Sequence, residues 1–104
     1  MTPAQRLYRE LDAERARGAL SAEFFMKCCV TLASDEAREG RLDAATAMLA
    51  RCNEQYLRAV LPQQAAEDPG FRVAVYALAD ALVDAGLAVP GAVAATAPAG
   101  GLPS

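Results

Sequence analysis

The sequence predicts an all-α protein: a small four-helix domain with a central antiparallel hairpin, followed by a flexible C-terminal tail. Apolar residues recur three and four positions apart along four segments, which is the spacing of one helix face. Glycines at 18, 40 and 86 and a proline at 62 separate those segments. The 104 residues are 54% hydrophobic, and the commonest of them is alanine, the strongest helix former. We expect one domain over 1–89.

The second helix is predicted to lie at the centre of the domain. In the stretch 24–33, FFMKCCVTLA, only Lys27 and Thr31 are polar. At 100° per residue the apolar side chains cover about two thirds of the helix circumference, so neighbours must cover it on more than one side. The helix is expected over 21–39, with Ser21 as its N-cap and Gly40 at its end.

The same kinds of signal delimit the other helices. The predicted ranges are 3–17, 43–61 and 69–85. Thr2 and Gln5 form a capping box at the first, Asp43 and Asp68 are expected to cap the other two, and Pro62 is expected to end the third. The segment 90–104 has no charge and is rich in Ala, Gly and Pro, which predicts the flexible tail.

Composition and charge argue against several functions. The net charge is −3 and the ten basic residues are interspersed with acids, so no nucleic-acid groove is expected. No apolar run reaches the roughly 18 residues of a membrane span, and the first helix is too charged to be a secretion signal. We expect a cytoplasmic protein that does not bind membranes.

The chain has no histidine, the usual general base, and we predict no catalytic residue and no cofactor. Asp35, Glu36 and Glu39 are interpreted as a solvated helix end paired with Arg38 and Arg41 rather than as a carboxylate site. The protein is therefore predicted not to be an enzyme.

The three cysteines raise the question of a redox or metal site. An antiparallel hairpin turning at Gly40 would place Cys28 opposite Cys52 in the core. The favoured interpretation is that both act as small buried hydrophobes; the alternative is a redox-sensing pair. A zinc site is not predicted, because the chain lacks histidine and a fourth cysteine.

The hairpin carries a pattern of large and small residues around a turn glycine. Its members are Leu32, Ala33, Gly40, Leu42, Ala45, Leu49 and Cys52. This spacing over about 26–59 resembles one tetratricopeptide repeat, although Glu36 stands where the repeat has an aromatic residue. The resemblance implies a helical adapter that holds a peptide or partner helix in a groove; small bacterial secretion and flagellar chaperones are similar.

The fourth helix contains the predicted partner-binding residues. Phe71, Val75, Leu78 and Leu82 form the stripe expected to dock on the domain. Five further side chains project beside that stripe and are predicted to bind a partner: Arg72, Val73, Tyr76, Asp80 and Val83. The other interpretation of this apolar helix is that both of its flanks are buried in the bundle.

The predicted function is a non-catalytic protein–protein interaction module, an adapter or chaperone-like protein that binds through an apolar helical face. The expected partner is another protein, and a homodimer through the fourth helix is the simplest form of such an interface. The alternative is a small phage- or plasmid-type inhibitor that blocks a host protein. The third hypothesis is a redox-responsive regulator that uses Cys28 and Cys52.

Overall fold

The structure is a computed structural model, and it describes residues 1–96. Its elements are α1 (Pro3–Ala16), α2 (Ala22–Arg38), α3 (Leu42–Leu49), a π-helical turn (Tyr56–Val60), α4 (Leu61–Glu67), α5 (Pro69–Asp84) and α6 (Gly91–Thr96). This part of the chain contains no strand, so the prediction of an all-α protein is confirmed. None of its helices has both the length and the apolar character needed to cross a membrane.

Helix α2 lies at the centre of the bundle, and α1, α3 and α5 all pack against it. Cys29, Val30 and Ala33 are fully buried, as a helix covered on several sides requires. The N-terminal part of α2 differs from the expectation, because Phe24 remains half exposed. The exposed side of α2 at Phe24 lines a groove against α1.

Side-chain caps begin three of the helices. The Thr2 hydroxyl accepts a hydrogen bond from the Gln5 amide at 3.1 Å, the Ser21 hydroxyl accepts one from Phe24 at 3.1 Å, and Asp68 accepts one from Phe71 at 3.1 Å. The turn after α2 needs a residue in the left-handed region, and Gly40 has a φ of 82° there. The three capping residues and the turn glycine were all predicted from the sequence.

The predicted third helix, 43–61, is not a single helix. Helix α3 ends at Leu49, and a second helical run begins after Asn53, whose side-chain oxygen accepts a hydrogen bond from the Tyr56 amide at 2.7 Å. The exposed Asn53 is therefore the N-cap of this second run. Asp43 also lies in the first turn of α3 and not at its cap position, which Arg41 occupies.

Pro62 does not end a helix, contrary to the prediction. It is the second residue of α4, which follows the preceding helical turn without a break. The preceding turn is π-helical, and the Leu61 amide donates to the Tyr56 carbonyl five residues earlier. The wider turn of a π-helix gives one physical reason why the helical run continues past the proline ring.

The prediction of a flexible tail over 90–104 is wrong for its first part. Residues Gly91–Thr96 form α6, and Val93 is fully buried in the core. Helix α6 packs against α5, α4 and the π-helical turn. The remainder of the predicted tail, 97–104, lies outside the described residues. With α6, the described chain has more helices than the four that were predicted.

Candidate functional site: an apolar groove between α1 and α2

A groove between α1 and α2 has a mainly apolar surface. Its volume is about 360 Å³. The lining residues are Leu7, Leu11, Phe24, Lys27, Cys28, Thr31 and Leu32. Phe24 is 50% exposed and Leu7 is 45% exposed, so two large apolar side chains face solvent at the site. Together with the groove they form an apolar patch, and contiguous apolar patches can mark binding surfaces.

The polar side-chain atoms of Lys27 and Thr31, which line the groove, already have partners within the protein. The Lys27 ammonium lies 3.1 Å from Asp68 Oδ2 and 5.3 Å from the centroid of the Phe71 ring, at the start of α5. The Thr31 hydroxyl donates to the Lys27 carbonyl at 3.1 Å. What remains for a ligand is the aliphatic stem of Lys27 and the methyl group of Thr31, so the groove is more apolar than its sequence suggests.

Cys28 lies in this groove and does not face Cys52, so the predicted contact between them is wrong. The Cys52 thiol is 3.6 Å from the carbonyl oxygen of Met26. Residues 26 and 28 point to nearly opposite sides of α2, because successive side chains differ by about 100°. Cys29, three residues after Met26, lies on the same side of α2 as Met26. The actual register therefore differs from the one drawn through Gly40.

Burial keeps all three thiols protonated at neutral pH. It raises the pKa of Cys29 and of Cys52 to about 12, and it raises the pKa of the half-buried Cys28 as well. All three cysteines lie in the described chain, and none forms a disulfide there. The thiolate is the reactive form, so these environments suppress thiol chemistry.

The five predicted partner-binding residues lie together on the outward face of α5. Val73 and Val83 are 60% and 64% exposed. Asp80 is also exposed, whereas Arg72 and Tyr76 are partly covered. The opposite face carries the predicted docking stripe, Phe71, Val75, Leu78 and Leu82, and all four of these residues are buried. Whether a partner binds this face stays a prediction.

Glu36 is not part of a solvated helix end, as had been predicted; it is fully buried. Its carboxylate accepts hydrogen bonds from Thr2 Oγ1 at 3.0 Å, Gln5 Nε2 at 2.9 Å and Arg41 Nε at 2.8 Å. These donors, Arg41 first, lower the pKa of Glu36 against the opposing effect of burial. The predicted pairing with Arg41 is present, and we call the four residues the Glu36 cluster.

A larger cleft, of about 490 Å³, lies beside the Glu36 cluster. Its charged groups already pair with one another: Asp35 with Arg38 at 2.7 Å, and Glu36 with Arg41 at 2.8 Å. A ligand here would compete with these pairs. Within residues 1–96, no three Cys, Asp or Glu side chains converge in a way that could hold a metal ion. The α1–α2 groove is therefore the better candidate site.

The groove was not predicted from the sequence as a binding site. Leu7 and Leu11 belong to the apolar stripe of α1, and Phe24 belongs to the most apolar stretch of the chain, so both signals indicated burial.

No family model matches this sequence, and no curated protein or solved structure matches it either. The function is therefore inferred from the geometry of the chain's own residues.

Proposed function

We propose that this protein is a non-catalytic protein-binding module and that the α1–α2 groove receives the apolar face of a partner's amphipathic helix. The observation that carries the proposal is the groove's surface: Phe24 and Leu7 are about half exposed over a concave floor with no unsatisfied charge. A helix that places apolar residues at i, i+3, i+4 and i+7 in such a groove is a recurrent recognition mode. The resemblance of 26–59 to a tetratricopeptide repeat supports the same adapter role.

The length of the groove suits a short helical segment. Leu7 and Leu11 on α1, and Phe24, Cys28 and Thr31 on α2, lie one turn apart along their helices. The groove floor thus extends for roughly two turns, or about 11 Å. Two to three anchor side chains of a partner would fill it, and affinity would come from their burial rather than from ion pairs.

The test is site-specific photocrosslinking with p-benzoylphenylalanine in place of Phe24. We expect this variant to crosslink a defined partner in cell extract, and we expect the crosslinked partner peptide to have helical apolar periodicity. The same amino acid in place of Leu87 is the control, because Leu87 is a comparably exposed apolar residue outside the groove. Mass spectrometry of the crosslinked peptides identifies the contact on both sides.

Binding of the identified partner is then measured with Leu7→Glu and Phe24→Glu. Each variant should weaken binding at least about ten-fold, because a carboxylate would be buried against the partner without a counterion. Leu87→Glu should bind as the wild type does, and circular dichroism establishes that all three variants are folded. Equal crosslinking from positions 24 and 87, or unchanged binding by Phe24→Glu, would contradict the proposal.

The salt dependence of binding separates this proposal from the inhibitor hypothesis. Contacts made by the groove should change little between low salt and about 1 M NaCl, whereas an acidic surface that blocks a host protein should lose affinity as salt screens it. The redox hypothesis receives less support, since Cys28 and Cys52 lie on different sides of α2. It predicts loss of partner binding after mild oxidation.

A further inference from the structure

The outward face of α5 has a charge pattern that is complementary to itself. We propose that two copies of this chain pair through α5 about a two-fold axis, with the helices antiparallel and Leu78 at the level of the axis. The pairing uses six residues: Arg72, Val73, Tyr76, Asp80, Val83 and Asp84. None of them lines the α1–α2 groove, so this interface is separate from the proposed partner site.

The register follows from residue spacing around Leu78. Arg72, Val73 and Tyr76 precede it by six, five and two positions, and Asp84, Val83 and Asp80 follow it by six, five and two. All six lie within an arc of about 120° on the helix, opposite the buried stripe. Antiparallel pairing at this level places Arg72 next to Asp84 of the second copy, Val73 next to Val83, and Tyr76 next to Asp80.

The charges of this face have no ion-pair partner in the part of the chain that the structure describes. Within residues 1–96, Arg72, Asp80 and Asp84 take part in no ion pair. In the two-fold dimer, Arg72 of each copy would pair with Asp84 of the other copy. A two-fold interface needs only this one surface patch on each copy. Val73 and Val83, the two most exposed large side chains of α5, would be covered by the same contact.

The charges also oppose the dipole of α5 itself. A helix is stabilised by acidic residues near its N-terminus and basic residues near its C-terminus. Helix α5 has Arg72 near its start and both Asp80 and Asp84 near its end, with no basic residue in the last turn. In the antiparallel pair, Asp84 of the second copy would approach the N-terminal end, and Arg72 of that copy would approach the C-terminal end, which reverses the unfavourable arrangement.

The pattern also selects one orientation. Parallel pairing would place Arg72 next to Arg72 of the second copy and Asp84 next to Asp84 of the second copy. Like charges across an interface disfavour association. A contact made by one helix from each copy is smaller than the roughly 1,200 Å² of a stable standard interface. We therefore expect a weak dimer, with a dissociation constant on the order of micromolar or above.

The test is analytical ultracentrifugation of charge-reversed variants. Arg72→Asp and Asp84→Arg should each weaken self-association roughly ten-fold or more, because each turns two ion pairs into repulsive contacts. An equimolar mixture of the two variants should associate, since every pair is then opposite in charge. The double variant Arg72→Asp/Asp84→Arg should also dimerise like the wild type.

Arg6→Asp is the matched control, since it changes charge by the same amount on an exposed part of α1 and should leave association unchanged. Circular dichroism verifies that every variant is folded. A wild-type protein that stays monomeric up to about 1 mM would overturn the proposal, as would failure of the mixed variants to associate. Neither result would affect partner binding at Phe24, so failure here is distinguishable from failure of the proposed function.

Discussion

Glu36 shows how one side chain can join three parts of the chain. Its carboxylate accepts hydrogen bonds from Thr2, the N-cap of α1, from Gln5 in α1, and from Arg41, which precedes α3. The sequence could not reveal this, because Thr2 and Gln5 are 34 and 31 positions away. Locally, Glu36 sits among Asp35, Arg38 and Glu39, and that pattern is typical of an exposed helix end.

Replacing Glu36 with Gln should lower the free energy of unfolding by about 1–3 kcal/mol, because a buried carboxylate that accepts several hydrogen bonds becomes a neutral amide and its ion pair with Arg41 is lost. Urea unfolding at neutral pH measures the change. Asp35→Asn is the control; its pair with Arg38 is exposed, and its loss should cost no more than about 0.5 kcal/mol. Equal costs for the two variants would mean that the Glu36 cluster contributes no special stability.

The same carboxylate should make stability depend on pH in the acid range. The pKa of Glu36 lies below its ordinary value of 4.5 in the folded protein, so the folded state holds this proton more weakly than the unfolded chain does. The resulting stability is complete above pH 4.5 and is lost as the pH falls through the lowered folded pKa. The difference in unfolding free energy between wild type and Glu36→Gln should therefore shrink below that value. A pH-independent difference would contradict this assignment.

The cysteines should differ sharply in reactivity towards a maleimide. Cys28 is half-buried in the open groove, whereas Cys29 is fully buried and Cys52 nearly so. We expect one thiol to react under native conditions, and Cys28→Ser should remove that reaction. Peptide mapping identifies the labelled residue. Rapid labelling of Cys52 would show that the core around the π-helical turn opens readily.

At the scale of elements, the sequence predicted helices well where they end in glycine or begin with a cap. It predicted the region after α3 poorly, since apolar spacing continues from Leu49 through Cys52 to Tyr56 and hides the break. Asn53 was the only local sign of a new helix start. For the candidate site, the exposure of Val73 and Val83 on α5 followed from helix periodicity. The groove did not, because the exposure of Phe24 depends on how α1 packs.

Helix α6 offers a test of the corrected C-terminal boundary. Val93→Ala should destabilise the protein by about 1–3 kcal/mol, since it removes two methyl groups from a fully buried position. Thermal or urea unfolding measures the loss. Val83→Ala, at a position 64% exposed, is the matched control and should change stability by less than about 0.5 kcal/mol. If both variants behave alike, α6 is not docked as described.

At the scale of the whole molecule, the buried residues form one contiguous cluster with contributions from α2, α3, the π-helical turn, α4, α5 and α6. The radius of gyration of 13.0 Å is that of a compact chain of this length. A single core predicts one cooperative unfolding transition, since no part of it can be lost alone.

Truncation of the core from two different elements should therefore shift the same transition. Leu49→Ala in α3 and Leu78→Ala in α5 should each cost about 2–5 kcal/mol, a large share of the stability of a domain this small. Unfolding followed by circular dichroism and by Tyr fluorescence should give coincident curves for each variant. Leu87→Ala, at an exposed position, should leave the midpoint nearly unchanged. Separate transitions for the two probes would indicate that α5 and α3 belong to different cooperative units.

Helix α1 differs from the other helices within residues 1–96 in adding no fully buried residue to that cluster. Polar contacts hold α1 at two places. The Glu36 cluster binds its start. Towards its end, Arg51 forms an ion pair with Asp12 at 2.9 Å and donates a hydrogen bond to the Tyr8 hydroxyl at 2.7 Å. Substitutions in α1 should therefore have the largest effect at the residues that make these polar contacts and at those that line the α1–α2 groove. We therefore expect the exposed positions of α1 outside these contacts to tolerate substitution better than the buried positions of α2 do.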